Sequence, residues 1–245
     1  MRFKLALTPN PSPILGKRAR GILFCCFLML ATTLYGADID LQWDVYNNDE
    51  VIYKVDFVVK KTAQKTGIFT DVKGKGVSEN NVTYVDADFE VLSVDQISNN
   101  QYNNAFFAWK IKHPNGNNKT DVYYKDLRTG KEYDDYDTVF PKRAYTLQVF
   151  LYLIQELDFS SQQNIDFSLI VPPAHLYNMN AQVDGLETVD SILGKVECYK
   201  LELAISGLLS LVLPKYTFWI TKEKPHIPVK YKDNRFTYIL AENIF

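Results

Sequence analysis

From Val51 to Lys60 the chain reads VIYKVDFVVK, and the alternation in it constrains the fold more than any other feature. Val51, Tyr53, Val55, Phe57 and Val59 fall on one face of an extended chain, while Lys54, Asp56 and Lys60 fall on the other, which is the signature of a strand with one buried side. VTYVDADFEVLSV, FFAWKIKH, DVYYKD, NIDFSLIV, KVECYKLELAI, KYTFWITK, IPVKYKD and RFTYILAE continue the pattern. KGKG, HPNGNN and RTGKE separate the runs and supply the Gly and Asn that positive-φ hairpin turns need. The pattern predicts a meander of eight to ten antiparallel strands.

One segment changes period. RAYTLQVFLYLIQEL, residues 143 to 157, places Leu147, Phe150, Leu151 and Ile154 at steps of three and four, which predicts a helix of about four turns. A large antiparallel sheet with one helix is an α+β fold, and the economical packing curls the sheet around that helix into a half-barrel or around a cavity beside it. With no repeat, linker or low-complexity stretch, residues 38 to 245 are expected to form one domain.

The first 37 residues read differently. Lys17, Arg18 and Arg20 precede the apolar run GILFCCFLMLATTLYGA, which is shorter than the roughly 20 residues of a spanning helix. A basic cluster, a short apolar run and small residues before Asp38 predict a secretory signal peptide and a periplasmic or exported protein; the alternative is an uncleaved N-terminal anchor. Cys25 and Cys26 sit inside the run, behind Phe24, which disfavours lipid modification. Five of the 27 basic residues and none of the 29 acidic ones lie in this segment, so 22 basic residues face 29 acidic ones beyond it, a net charge near −7. Such a balance is a poor match for the phosphate backbone of nucleic acid. Only Cys198 remains after removal of the leader, which leaves no intramolecular disulfide; in KVECYKLEL it reads as a small buried hydrophobe.

Few residues suggest catalysis. His113, His175 and His226 stand in HPNG, PPAHLY and KPHIP, none with a second His or Cys at ligand spacing, so neither a metal nor another cofactor is expected. There is no GxSxG elbow and no Gly-rich phosphate loop. Glu132, Asp134, Asp135 and Asp137 cluster in KDLRTGKEYDDYD, which lacks the Gly and Glu order of a calcium loop and reads as a solvated turn before the helix. Aromatic residues are abundant instead, 16 Tyr and 15 Phe. SGLLSLVLP, residues 206 to 214, is apolar where a polar loop is expected and reads as core or as a lip at a binding edge.

From about residue 163 onward, the order PPAHLY, VDGLETVDSILGKVECYKLELAI, YTFWITKEKPHIPVKY and FTYIL resembles the bacterial envelope family called domain of unknown function 3108. The recurrent hairpin of that family, a Trp-containing strand end, a charged turn and an R/H-x-P-V phrase, matches Phe218-Trp219-Ile220-Thr221 and His226-Ile227-Pro228-Val229. The amino-terminal half follows the plan more loosely. Position 226 holds His where members often hold Arg, which argues against a charge role there. The resemblance implies a half-barrel similar to the LolA/LolB lipoprotein-localisation type, which cups acyl chains between a curved sheet and helices, and it implies no established activity.

These readings converge on a non-enzymatic binder or carrier of lipid, acyl chain or lipoprotein, near a membrane, with Phe57, Phe89, Phe107, Leu151, Phe218 and Trp219 lining an apolar cleft. A second expectation is an envelope assembly or adaptor protein that docks a protein partner through a sheet edge or the SGLLSLVLP lip. A third is a hydrolase using Asp134, Asp135 and a histidine.

Overall fold

Side-chain alternation and short polar turns set the architecture of the computed structural model, which describes residues 39–113, 119–207 and 215–244. Fifteen strands are described: β1 (Ile39–Asn47), β2 (Glu50–Lys61), β3 (Thr66–Gly74), β4 (Val77–Val85), β5 (Val91–Asn100), β6 (Ala105–Lys112), β7 (Thr120–Asp126) and β8 (Glu132–Thr138) precede the helix. A two-residue β9 (Ala144–Tyr145) leads into helix α1 (Leu147–Glu156). After it come β10 (Asn164–Val171), β11 (His175–Ser191), β12 (Gly194–Ile205), β13 (Tyr216–Thr221), β14 (Pro228–Lys232) and β15 (Thr237–Ile244). The fold is the expected α+β curved sheet with one central helix.

The strand count exceeds the expected eight to ten for local reasons. VTYVDADFEVLSV is two strands, because the Asp86 carboxylate accepts the N–H groups of Asp88 and Glu90 at 2.9 Å each and turns the chain between β4 and β5. Strand β11 is largely exposed, so its polar residues on both faces hide the alternation. The acidic run is likewise a correction: Glu132–Thr138 is the edge strand β8 rather than a turn.

The helix starts four residues later than its periodicity predicts. Arg143 has φ 59°, Ala144 and Tyr145 pair in parallel with Ser168 and Leu169, and the Thr146 hydroxyl then caps the helix by accepting the Val149 N–H. Val149, Phe150, Leu151, Tyr152 and Ile154 are all buried. Apolar residues around most of its circumference suit a helix enclosed by protein rather than one lying on a surface.

All fifteen strands belong to one sheet, in the order β8-β7-β6-β5-β4-β3-β2-β1-β15-β14-β13-β12-β11-β10-β9. The first and last strands pair at its middle, and β8 and β9 are its two free edges. Only residues 139 to 143 join those edges, a path of at most about 20 Å, whereas fifteen strands laid flat would be about 67 Å wide. The sheet must therefore curl until its edges approach. A hydrogen bond bridges the gap: the Trp109 indole on β6 donates to the Pro173 carbonyl before β11 at 2.7 Å. Within the curl, Phe150 of α1 stacks on Phe167 of β10 with centroids 4.6 Å apart, and Tyr152 meets Phe89 of the β4–β5 turn at 5.2 Å.

Candidate functional site

The concave face contains a cavity of about 170 Å³ between α1 and strands β1 to β5, β14 and β15. Its first wall is apolar and aromatic. Trp43, Tyr53, Val55 and Phe57 come from neighbouring inward positions of β1 and β2, Leu147 and Leu151 from the helix, and Tyr231 and Tyr238 from β14 and β15. This wall is held in place. The Trp43 indole donates to the Pro228 carbonyl at 2.9 Å, and its ring meets Phe57 edge-on. Tyr231 and Tyr238 stack at 3.6 Å, and the Tyr53 and Tyr238 hydroxyls lie 3.1 Å apart. Burial and the neighbouring phenols raise the Tyr53 and Tyr231 pKa values, and burial pushes Tyr238 up to about 12, so all three line the cavity as neutral phenols.

The second wall is polar, and its existence was not expected. Inward positions of β3, β4 and β5 carry Thr70, Glu79, Asn81 and Asn100. Asn100 donates to Glu79 at 2.6 Å, and Thr83 donates to the Asn81 side-chain oxygen Oδ1 at 2.8 Å. Thr70 Oγ1 and Asn81 Nδ2 are buried with no hydrogen-bond partner among the described residues. The exposed Asn103 and the half-buried Gln148, Leu147 and Glu79 belong to the same lining and mark where the cavity reaches the surface.

Of the six residues expected to line a cleft, Phe57 and Leu151 do so. Phe218 is buried beneath the cavity, between Phe150 and Tyr231. Phe89 has φ 63° and packs its ring on Tyr152. Phe107 stacks on Tyr124 of β7, away from the cavity. Trp219 lies on the opposite face of β13 from Phe218, as strand pleating requires, where it donates to Glu187 at 2.7 Å and Lys230 sits over its ring.

The hairpin around His226 is a structural clip. His226 is buried against Phe159 and Tyr199, with Nδ1 2.8 Å from the Thr221 carbonyl oxygen. The Thr221 hydroxyl accepts the Ile227 N–H at 2.8 Å and lies 3.0 Å from the Glu223 and Pro225 carbonyls. His113 packs on Phe140 beside the Thr120 hydroxyl, and burial lowers its pKa. On β8, Asp135 is spent on the Asp137 N–H and the Thr138 hydroxyl, which hold its pKa below the usual carboxylate range. No group of three or more His, Cys, Asp or Glu suited to a metal occurs among the described residues, and none of their helices is long and apolar enough to cross a membrane. Cys198 is fully buried, and burial pushes its thiol up to about 11.

A second feature lies at the far end of β11 and β12. Strand β10 pairs with β11 only through Gln182, and β13 reaches β12 only as far as Cys198, so the segments between form a two-stranded arm beyond the sheet. Leu186, Ile192 and Leu193 on this arm are exposed. Residues 208 to 214 of the SGLLSLVLP segment and the amino-terminal leader lie outside the described residues. Compared with known proteins, the chain matches no family model, no curated protein and no solved structure.

Proposed function

We propose that the protein is a non-enzymatic binder of a lipid or acyl chain in its concave face, exported to the cell envelope by its amino-terminal segment. The observation that carries this reading is the cavity lined by Trp43, Val55, Phe57 and Leu151 beneath a buried helix. Ligand sites are concave and mostly apolar with a few placed polar groups, and this one has that composition. Its volume sets the scale of what enters. An apolar cavity of roughly 150 Å³ accommodates benzene, so about 170 Å³ suits part of one hydrocarbon chain rather than a whole two-chain lipid.

Val55 projects into the cavity between its cross-strand neighbours Trp43 and Val72, which makes it the position to fill. Protein purified from an envelope fraction under native conditions is expected to carry an acyl-containing molecule, identified by mass spectrometry of the extract. Val55→Phe is expected to lower that load by about tenfold while the protein stays folded. A protein that arrives empty, or a load indifferent to Val55→Phe, would contradict the reading.

The projecting arm favours a second reading, an adaptor that docks a protein partner. Its exposed Ile192 and Leu193 form the two-residue hairpin turn. Ile192→Asp together with Leu193→Asp separates the two: a carrier keeps its ligand load, whereas an adaptor keeps its fold and loses its association with the envelope fraction.

A further inference from the structure

We infer that the molecule held in the cavity is uncharged and presents one acceptor oxygen, an ester or amide carbonyl or an alcohol, to Thr70 and Asn81, with a short hydrocarbon against the adjoining apolar wall. This deepens the carrier reading and rests on it. Thr70 is 9% exposed and Asn81 2%, and Thr70 Oγ1 and Asn81 Nδ2 have no partner among the described residues. Buried polar groups are normally hydrogen-bonded because an orphan destabilises the fold, so two at one site mark a missing partner.

The chemistry of that partner follows from the surroundings. Thr70 and Asn81 are direct cross-strand neighbours on β3 and β4, so their side chains reach a common point. The Asn81 side-chain oxygen Oδ1 already accepts from Thr83, which leaves its amide N–H groups as the free donors and asks for an acceptor. The lining contains Glu79 and no Lys, Arg or His, so an ionised carboxylate or phosphate would be buried beside a like charge with nothing to compensate it. Phe57 is the cross-strand neighbour of Thr70 on β2, and Trp43, Val55 and Leu151 continue that adjoining apolar wall, which suits the hydrocarbon end. The volume admits on the order of six to nine heavy atoms.

Calorimetric titration of the full chain with methyl hexanoate, hexane and hexanoate at pH 8 tests the assignment. The ester is expected to bind about tenfold more tightly than hexane and at least tenfold more tightly than hexanoate, the gain of one or two hydrogen bonds in a buried site. Thr70→Val keeps the side-chain shape and removes the orphan hydroxyl, so it is expected to abolish most of the ester's advantage, leave hexane binding unchanged and raise the melting temperature of the empty protein. Asn81→Leu is expected to have the same effect on the ester. Equal binding of ester and hexane, tighter binding of hexanoate than of the ester, or an ester advantage that survives either substitution overturns this assignment and leaves the carrier reading intact. Failure of all three probes to bind overturns both.

Discussion

The three cavity tyrosines bind the site to the stability of the fold. Tyr53 and Tyr238 are buried with the half-buried Tyr231 beside them, and each has its pKa raised, first by desolvation. Below pH of about 10 both the folded and unfolded chains keep these phenols protonated, so the folded state is fully favoured. Above it the unfolded chain releases protons that the folded one retains, and stability falls as pH rises toward the folded value of about 12 for Tyr238. Each withheld proton steepens that fall by about 1.4 kcal/mol per pH unit. Urea denaturation at pH 9, 10 and 11 is expected to show this loss, and Tyr238→Phe to make it shallower. Surface lysines held by ion pairs add a loss of the same sign, so the difference between the two proteins isolates the phenol. Identical slopes would mean that Tyr238 ionises in the folded state as it does in the unfolded one.

At the scale of elements, strand β8 explains what the acidic run does. It is a free sheet edge carrying Glu132, Asp134, Asp135 and Asp137, with a Lys125–Glu132 ion pair across to β7 and a Lys119–Asp137 pair to the residue before it. Charges on an exposed edge oppose pairing with a second chain. Asp134→Val with Asp137→Val would leave the exposed Tyr133 and Val139 beside an edge stripped of two of its four carboxylates, and light scattering is expected to show concentration-dependent association that the unaltered chain lacks. The ion pair lost is worth about 1 kcal/mol or less, so the monomer should remain folded. A sheet edge guarded in this way does not favour β8 as a docking strand. The alternation in VIYKVDFVVK, the helix core and the curled sheet were legible in the sequence because each rests on one strong period. The polar wall was not. In GVSENNVTYV the inward residues are Val77, Glu79, Asn81, Thr83 and Val85, yet Val82 and Tyr84 give the opposite face an equal apolar claim. The pairing of Asn81 with Thr70 on β3 settles which face points inward. Phe57 and Leu151 could be placed from periodicity, whereas Trp219 needed strand parity and Phe107 needed the position of β6 along the curve.

For the molecule as a whole, the open question is what holds a fifteen-stranded sheet in its curl. An aromatic ladder runs from Phe167 through Phe150, Phe218 and Tyr231 to Tyr238, tying α1 to the strands on one side of it. Two further devices act at the seam, the short connection from 139 to 143 and the Trp109–Pro173 hydrogen bond. Lengthening the connection by about ten Gly and Ser residues should cost about 1 kcal/mol in loop closure. Trp109→Phe removes a single hydrogen bond and should cost a similar amount, about 1 kcal/mol. Because both act on the same pair of edges, either one can hold the seam when the other is weakened. The two changes together are therefore expected to cost more than their sum, by at least about 0.5 kcal/mol in urea denaturation. Small-angle scattering should show a larger radius only for the combination. Strict additivity with an unchanged radius would assign the curl to the packing of α1, making the helix that roofs the cavity also the element that shapes the sheet around it.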